Sequence, residues 1–119
     1  MIKNFKTLDI WKRSMQLVKQ VYILTNEMPS EERYGLTNQV RRAAVSVPSN
    51  IAEGCGRNHL KELKQFLHYS LGSLCEVETQ LYLAISLGYI NPTQTQKSIQ
   101  ETIEIRKMIT GYIKSLSIK

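Results

Sequence analysis

Apolar and small residues recur at Leu36, Val40, Ala43, Ala44, Val47 and Ile51, the three-and-four spacing of one helix face. The phase runs straight through Pro48. A proline inside a helix removes one backbone donor and presses on the carbonyl four residues back, here Ala44, at a cost of about 3 kcal/mol. If Pro48 ended the helix, nothing would hold Ile51 in phase with Val40 and Val47. The pattern predicts one helix from Leu36 to about Cys55, kinked at Pro48. The alternative is a break at Val47, a residue disfavoured in helical geometry before proline, with a new helix from Ser49. Gly54 and Gly56 suit the C-terminal end, where glycine accepts a left-handed conformation.

Three more helices follow from the same periodicity. The first spans about Thr7 to Met28 and carries two adjoining apolar stripes. One is Leu8, Trp11, Met15, Val18 and Tyr22; the other is Ile10, Leu17, Val21, Leu24 and Met28. Together they cover more than the single face a surface helix buries, which fits either two neighbours within the chain or a subunit contact. Asp9 and Arg13, four apart, support the outer face. Met28-Pro29 closes this helix, Ser30 caps a short turn with Glu31 and Glu32 in it, and Tyr34-Gly35 leads into the second helix. The third, about His59 to Leu87 with Asn58 as cap, holds its core face with Leu60, Leu63, Leu67, Leu71, Leu74, Val77, Leu81 and Ile85. Ser70, Gly72 and Ser73 admit close approach. Asn91, Pro92 and Gln94 make a strong start signal for the fourth helix, which runs to about Ser117 on Ile99, Ile103, Ile105, Ile109, Tyr112, Ile113 and Leu116. Gly111 within it costs up to about 1 kcal/mol relative to alanine and points to a tight contact. Short connections and no strand signal predict an all-α, antiparallel up-down-up-down four-helix bundle, one domain over residues 1–119.

The opposite face of the second helix reads Asn38, Gln39, Arg42, Ser46, Ser49, Glu53 and Arg57 at about 100° per residue. It is polar and mostly short. It is either a solvated face or a docking surface for another chain or for phosphate, with Ser46, Pro48, Ser49, Asn50 and Glu53 at its centre. Ser46 and Ser49 are poor interior helix residues, placed where a hydroxyl could satisfy the carbonyl freed by Pro48.

Charge sharpens the choice of partner. The formal net charge is +6. Residues 1–28 and 91–119 each carry +3, residues 29–59 carry +1 and residues 60–90 carry −1, so the surplus sits on the first and last segments. That balance permits nucleic-acid binding. No apolar run approaches the roughly 20 residues of a membrane span, the N-terminus lacks a signal-like stretch, and two cysteines make a poor disulfide framework. The expectation is a cytoplasmic chain with no membrane partner.

The segments FKTLDIWKRSMQLVKQVY, MPSEERYGLTNQVRRAAVSVPSNIAEG, FLHYSLGSLCEVETQL and LGYI resemble, in order and over nearly the whole chain, the four-helix bundle proteins encoded by intervening sequences within bacterial 23S ribosomal RNA genes. Tyr34 to Gly54 is the most specific stretch. That family resembles the accessory variability proteins of diversity-generating retroelements, which form pentameric barrels of four-helix bundles and assist a reverse transcriptase and its RNA through a basic surface. The resemblance implies a ring-forming bundle, a homopentamer, with structured RNA or DNA and a reverse transcriptase or other protein as candidate partners.

The chemistry of an enzyme is missing from the sequence. Neither His59 nor His68 has a glutamate three residues before it, as the di-iron bundle motif requires. Cys55, His59, His68 and Cys75 have spacings unlike zinc knuckles and read as two small buried thiols and two surface histidines. Gly54-Cys55-Gly56 lacks the remaining glycines and the strand of a phosphate loop. No cofactor or metal is expected. Two classes remain. One is a nucleic-acid-binding accessory protein, with Arg41, Arg42 and Arg57 on the second helix and Lys12, Arg13 and Lys19 on the first neutralising phosphates without reading bases. The other is a structural assembly module that binds protein alone. One structural pair is also expected. Glu78 lies on the core side of the third helix, and counting equal rises from the Gly88–Pro92 turn brings it within about one turn of Arg106, with Arg41 as the alternative partner.

Overall fold

The computed structural model describes residues 2–117. Met1, at the head of the stretch read for a signal, and Lys119, one of the bases of the last segment, lie outside the described residues. Four α-helices follow one another: α1 Asp9–Thr25, α2 Leu36–Gly56, α3 Leu60–Ser86 and α4 Pro92–Ser117. Short 3-10 turns at Phe5–Thr7 and Ser30–Glu32 precede α1 and α2. No strand occurs among the described residues. Each helix packs on its neighbours in sequence, α1 also meets α4, and among the described residues the backbones of the diagonal pairs stay apart. The result is an antiparallel up-down-up-down bundle, 47 Å long.

The core is the inner stripe of each helix. Leu17 and Val21 of α1, Val47 and Ile51 of α2, Leu63, Leu67, Leu74 and Leu81 of α3, and Ile105 and Ile109 of α4 are fully buried. In α1 only the second of the two predicted stripes is buried throughout; Met15 and Tyr22 of the first stay about 40% exposed, because they lie past the flank that α2 covers. Leu60 is likewise exposed, one residue into α3 and ahead of its first full turn.

α2 is one helix with Pro48 in its interior. The rescue of its backbone differs from the expectation. Ser46 Oγ donates to the carbonyl of Arg42 at 2.9 Å, not to that of Ala44. Asn50 Nδ2 donates to the Ser46 carbonyl at 2.8 Å, and Ser70 Oγ reaches across from α3 to the Val47 carbonyl at 2.9 Å. A buried serine of the neighbouring helix thus ties α3 to the backbone directly before the proline, whereas the carbonyl that loses its donor to Pro48 is that of Ala44.

Glycine roles also shift. Gly54 is inside the helix. A Cβ there would stand 2.9 Å from Phe66 Cβ and 3.3 Å from the Leu63 carbonyl, so Gly54 is what lets α2 and α3 approach at this level. Gly72 and Gly111 face open space with nothing within 4 Å, so neither marks a contact within the subunit. The left-handed residue of the α2–α3 connection is Asn58, at φ 52°; the cap position of α3 falls to His59.

At the other turn, Asn91 Oδ1 accepts from the amides of Thr93 and Gln94 at 2.8 and 3.3 Å, the cap its sequence predicts. Ser30 does not cap the Ser30–Glu32 turn; Pro29 holds that position. Glu32 has the larger role. One carboxylate oxygen accepts from the Leu36 amide at 2.9 Å, closing the start of α2, and the other accepts from the Tyr89 hydroxyl at 3.0 Å. The carboxylate bond, with some burial, raises the Tyr89 pKa.

Candidate nucleic-acid interface

The six bases expected to meet phosphate do not form one cluster. Arg13 lies on the flank of α1 that faces α4. Its Nε and Nη2 grip both carboxylate oxygens of Glu101 at 2.9 and 2.7 Å, and Nη1 approaches Met108 Sδ at 3.1 Å. Its partner is therefore Glu101 rather than Asp9, and the Glu101 bond pushes the guanidinium pKa up. Arg41 lies half-buried between α2 and the end of α1. It donates to Thr25 Oγ1 at 2.8 Å, to Asn26 Oδ1 at 3.2 Å and to the Tyr22 carbonyl at 3.4 Å, and stacks over the Tyr22 ring at 4.5 Å. The carbonyls at the end of α1 carry the negative pole of that helix, so Arg41 serves as a cap. Arg57 pairs with Glu53 at 3.3 Å and Glu62 at 3.8 Å and covers the Phe66 ring.

Lys12, Lys19 and Arg42 are exposed and make no ion pair among the described residues. Arg42 stands at the head of two surface depressions. One, with Tyr22, Asn38, Arg41, Val45 and Ser46, lies between α1 and α2; the other, with Gln39, Ser46, Glu76 and Gln80, lies between α2 and α3. The polar stripe of α2 borders both. Ser49 and Glu53 are exposed, Ser46 and Asn50 half-buried, and Pro48 buried.

Glu78 and Arg106 meet at the α3–α4 seam, Nη1 to Oε1 at 2.8 Å. Arg106 also approaches Cys75 Sγ at 3.6 Å. Cys75 is exposed; only Cys55 is a buried thiol, and burial raises its pKa. The two cysteines therefore differ, where the sequence suggested two alike. Among the described residues no three His, Cys, Asp or Glu side chains converge on a possible metal position, and no helix is long and apolar enough to cross a membrane.

Partner choice divides the bases by type. Among the described residues the ion pairs are made by Arg13, Arg57, Arg106 and His59, and none by a lysine. An arginine fork matches a carboxylate, whereas a lysine stays a hydrated point charge. Of the six bases the sequence offers as phosphate ligands, Arg13, Arg41 and Arg57 are side chains the fold uses itself. The one signal that separates them is the position of carboxylates across the bundle, which needs the helix register.

The model of the 23S rRNA-intervening sequence protein family matches residues 6–111. The chain belongs to that family. The match covers all of α1, α2 and α3 and most of α4. A crystal structure of a protein of unknown function from the S23 ribosomal protein family, from Bacteroides thetaiotaomicron VPI-5482, superposes with a TM-score of 0.78 at 22% identity, over 88% of this chain and 98% of that one. At that identity the likeness is one of fold. No curated protein matches the chain. The four-helix architecture of the 23S rRNA-intervening sequence family is therefore the frame in which the free lysines stand.

Proposed function

We propose that this protein is a non-enzymatic accessory protein that self-associates and binds structured RNA or DNA through phosphate contacts. The observation that carries this reading is the division above: Arg13, Arg41, Arg57 and Arg106 are tied within the bundle, and among the described residues no lysine makes an ion pair. Free cations on a folded surface, Lys12, Lys19 and Arg42 among them, attract nucleic acid through counterion release and without reading sequence. Self-association is supported by the flank of α1 that α2 leaves uncovered, where Met15 and Tyr22 stay exposed beside Val45 of α2. A pentameric ring and a reverse transcriptase or similar protein partner are what the family resemblance implies, and the cytoplasm is the default compartment for two free cysteines. The test is a titration of a structured RNA across roughly 50 to 200 mM salt, with the oligomer mass measured by light scattering. Binding that weakens steeply with salt supports the reading. No binding at the lowest salt refutes it and leaves a structural assembly module, which the exposed apolar flank also suits.

A further inference from the structure

We infer that the principal nucleic-acid surface is the α3–α4 face, built on Lys61, Lys64, Lys107 and Lys114. This rests on the nucleic-acid reading above and moves its centre to the side of the bundle opposite α1 and α2.

The register of α3 against α4 is fixed by Arg106, which touches both Glu78 and Cys75. Lys61 and His68 repeat at seven-residue intervals with Cys75, and Lys64 does so with Glu78. Both lysines therefore lie on the flank of α3 that faces α4. Lys107 and Lys114, seven apart, lie beside Arg106 on the outward side of α4, and both are exposed. Lys107 is level with about Cys75, so the row from there to Lys61 is about 21 Å long.

Every acid of these two helices except Glu78 points elsewhere. Glu62 faces Arg57, Glu76 lines the depression beside α2, and Glu101 and Glu104 act on Arg13. The α3–α4 face thus holds five bases, counting Arg106, against the single acid Glu78. The described residues contain fifteen bases and ten acids, a surplus of five. Four of that surplus lie on this face, leaving one for the rest of the molecule.

A second feature marks the same face. Gly72 and Gly111 sit in helix interiors, exposed, with open space where a Cβ would be. Each costs helix stability relative to alanine, and nothing inside the subunit requires it. They leave bare backbone between the lysines, so a bulky partner can come close. Of the intervening positions, His68 and Thr110 are polar and exposed and Leu71 is half-buried against the core, so the row offers no large, fully exposed apolar side chain to enter a bilayer. A straight row of point charges with low relief fits a regular polyanion; a duplex presents roughly a dozen phosphates over that length.

The test compares two charge-matched quadruple variants by fluorescence anisotropy with an RNA hairpin across about 50 to 200 mM salt. One carries Lys61→Gln, Lys64→Gln, Lys107→Gln and Lys114→Gln. The other carries Lys12→Gln, Lys19→Gln, Arg42→Gln and Lys97→Gln. The first should lose at least about tenfold in affinity, and its log–log salt slope should fall by about three, at 0.7–0.9 per phosphate contact. The second should lose much less of both. If the second loses as much or more, this surface is wrong while the nucleic-acid reading stands. If the unmodified protein does not bind the hairpin, both fail, and binding to phosphatidylserine vesicles instead would identify the acidic partner as a membrane. Should the first quadruple lose its helical circular-dichroism signal, the double variant Lys107→Gln, Lys114→Gln replaces it, with a slope loss of about 1.5 expected and an unchanged slope overturning the inference.

Discussion

Gly54→Ala isolates the closest approach in the bundle. The added methyl would sit 2.9 Å from Phe66 Cβ, 3.2 Å from Leu63 Cδ1 and 3.3 Å from the Leu63 carbonyl. The Leu63 methyl can turn away, but a backbone carbonyl and a Cβ move only with α3 itself. Overpacking of this kind costs about 1–3 kcal/mol, against a gain of about 1 kcal/mol from replacing a helix glycine. The net expectation is a loss of up to about 2 kcal/mol, centred on about 1 kcal/mol. With an unfolding entropy of about 2.1 cal/mol/K per residue, a chain of 119 residues shifts by roughly 4 °C per kcal/mol, so Tm should fall by up to about 8 °C. Gly111→Ala is the matched control, since its methyl meets nothing; it should raise Tm by about 2–4 °C. Both are read by thermal circular dichroism at one protein concentration, because assembly would make Tm depend on concentration. A Gly54→Ala protein that melts above the parent temperature, as the Gly111→Ala control should, would refute the steric account.

Arg41→Ala should destabilise by about 1–2 kcal/mol in urea unfolding, since it removes the tie from α2 to Thr25 and Asn26; an unchanged midpoint would make that tie incidental. Glu78→Ala should cost about 1 kcal/mol, less than a fully buried pair would, because the Arg106 and Glu78 side chains keep 35% and 19% of their exposure. A thiol titration of the native protein should find Cys75 reacting at once and Cys55 only on unfolding; simultaneous reaction contradicts the burial of α2's last turns. Cys55, Tyr89 and Tyr112 all have pKa values raised by the fold, Cys55 and Tyr112 first by burial and Tyr89 first by its bond to Glu32. A raised folded pKa favours the protonated form, so the stability it contributes is full below the unfolded pKa and is lost as pH rises through the folded one. The urea midpoint should therefore fall above about pH 9, and Tyr89→Phe should reduce that alkaline loss.

The helices and their order were legible because apolar spacing depends on local geometry alone. The Glu78–Arg106 distance could be anticipated because both residues lie a countable number of rises from one tight turn. Positions that depend on which helix lies beside which could not be read this way. Met15 and Tyr22 continue an apolar stripe as well as Leu17 does, yet only the placement of α2 decides that they stay exposed. Arg13 has an acid four residues back in its own helix, but Glu101, distant in sequence, binds it better. The same limit hid the lysine face. Residues 60–90 sum to −1, which conceals that their acids and lysines point to different sides, and a charge count along the chain cannot resolve sides.

Glu32 bears on motion as well as on structure. Its carboxylate spans the two connections at one end of the bundle, holding the first amide of α2 and the hydroxyl of Tyr89 together. Neither connection can swing outward without breaking a bond that also belongs to the other. Fraying of that end should therefore be a joint event: the amide protons of Leu36 and of the Gly88–Ile90 turn should exchange with solvent at a common opening free energy. At the opposite end, where α2 passes into α3 through Asn58, no such carboxylate bridges two connections among the described residues. The molecule would then breathe unevenly, as one unit at the Glu32 end and segment by segment at the other.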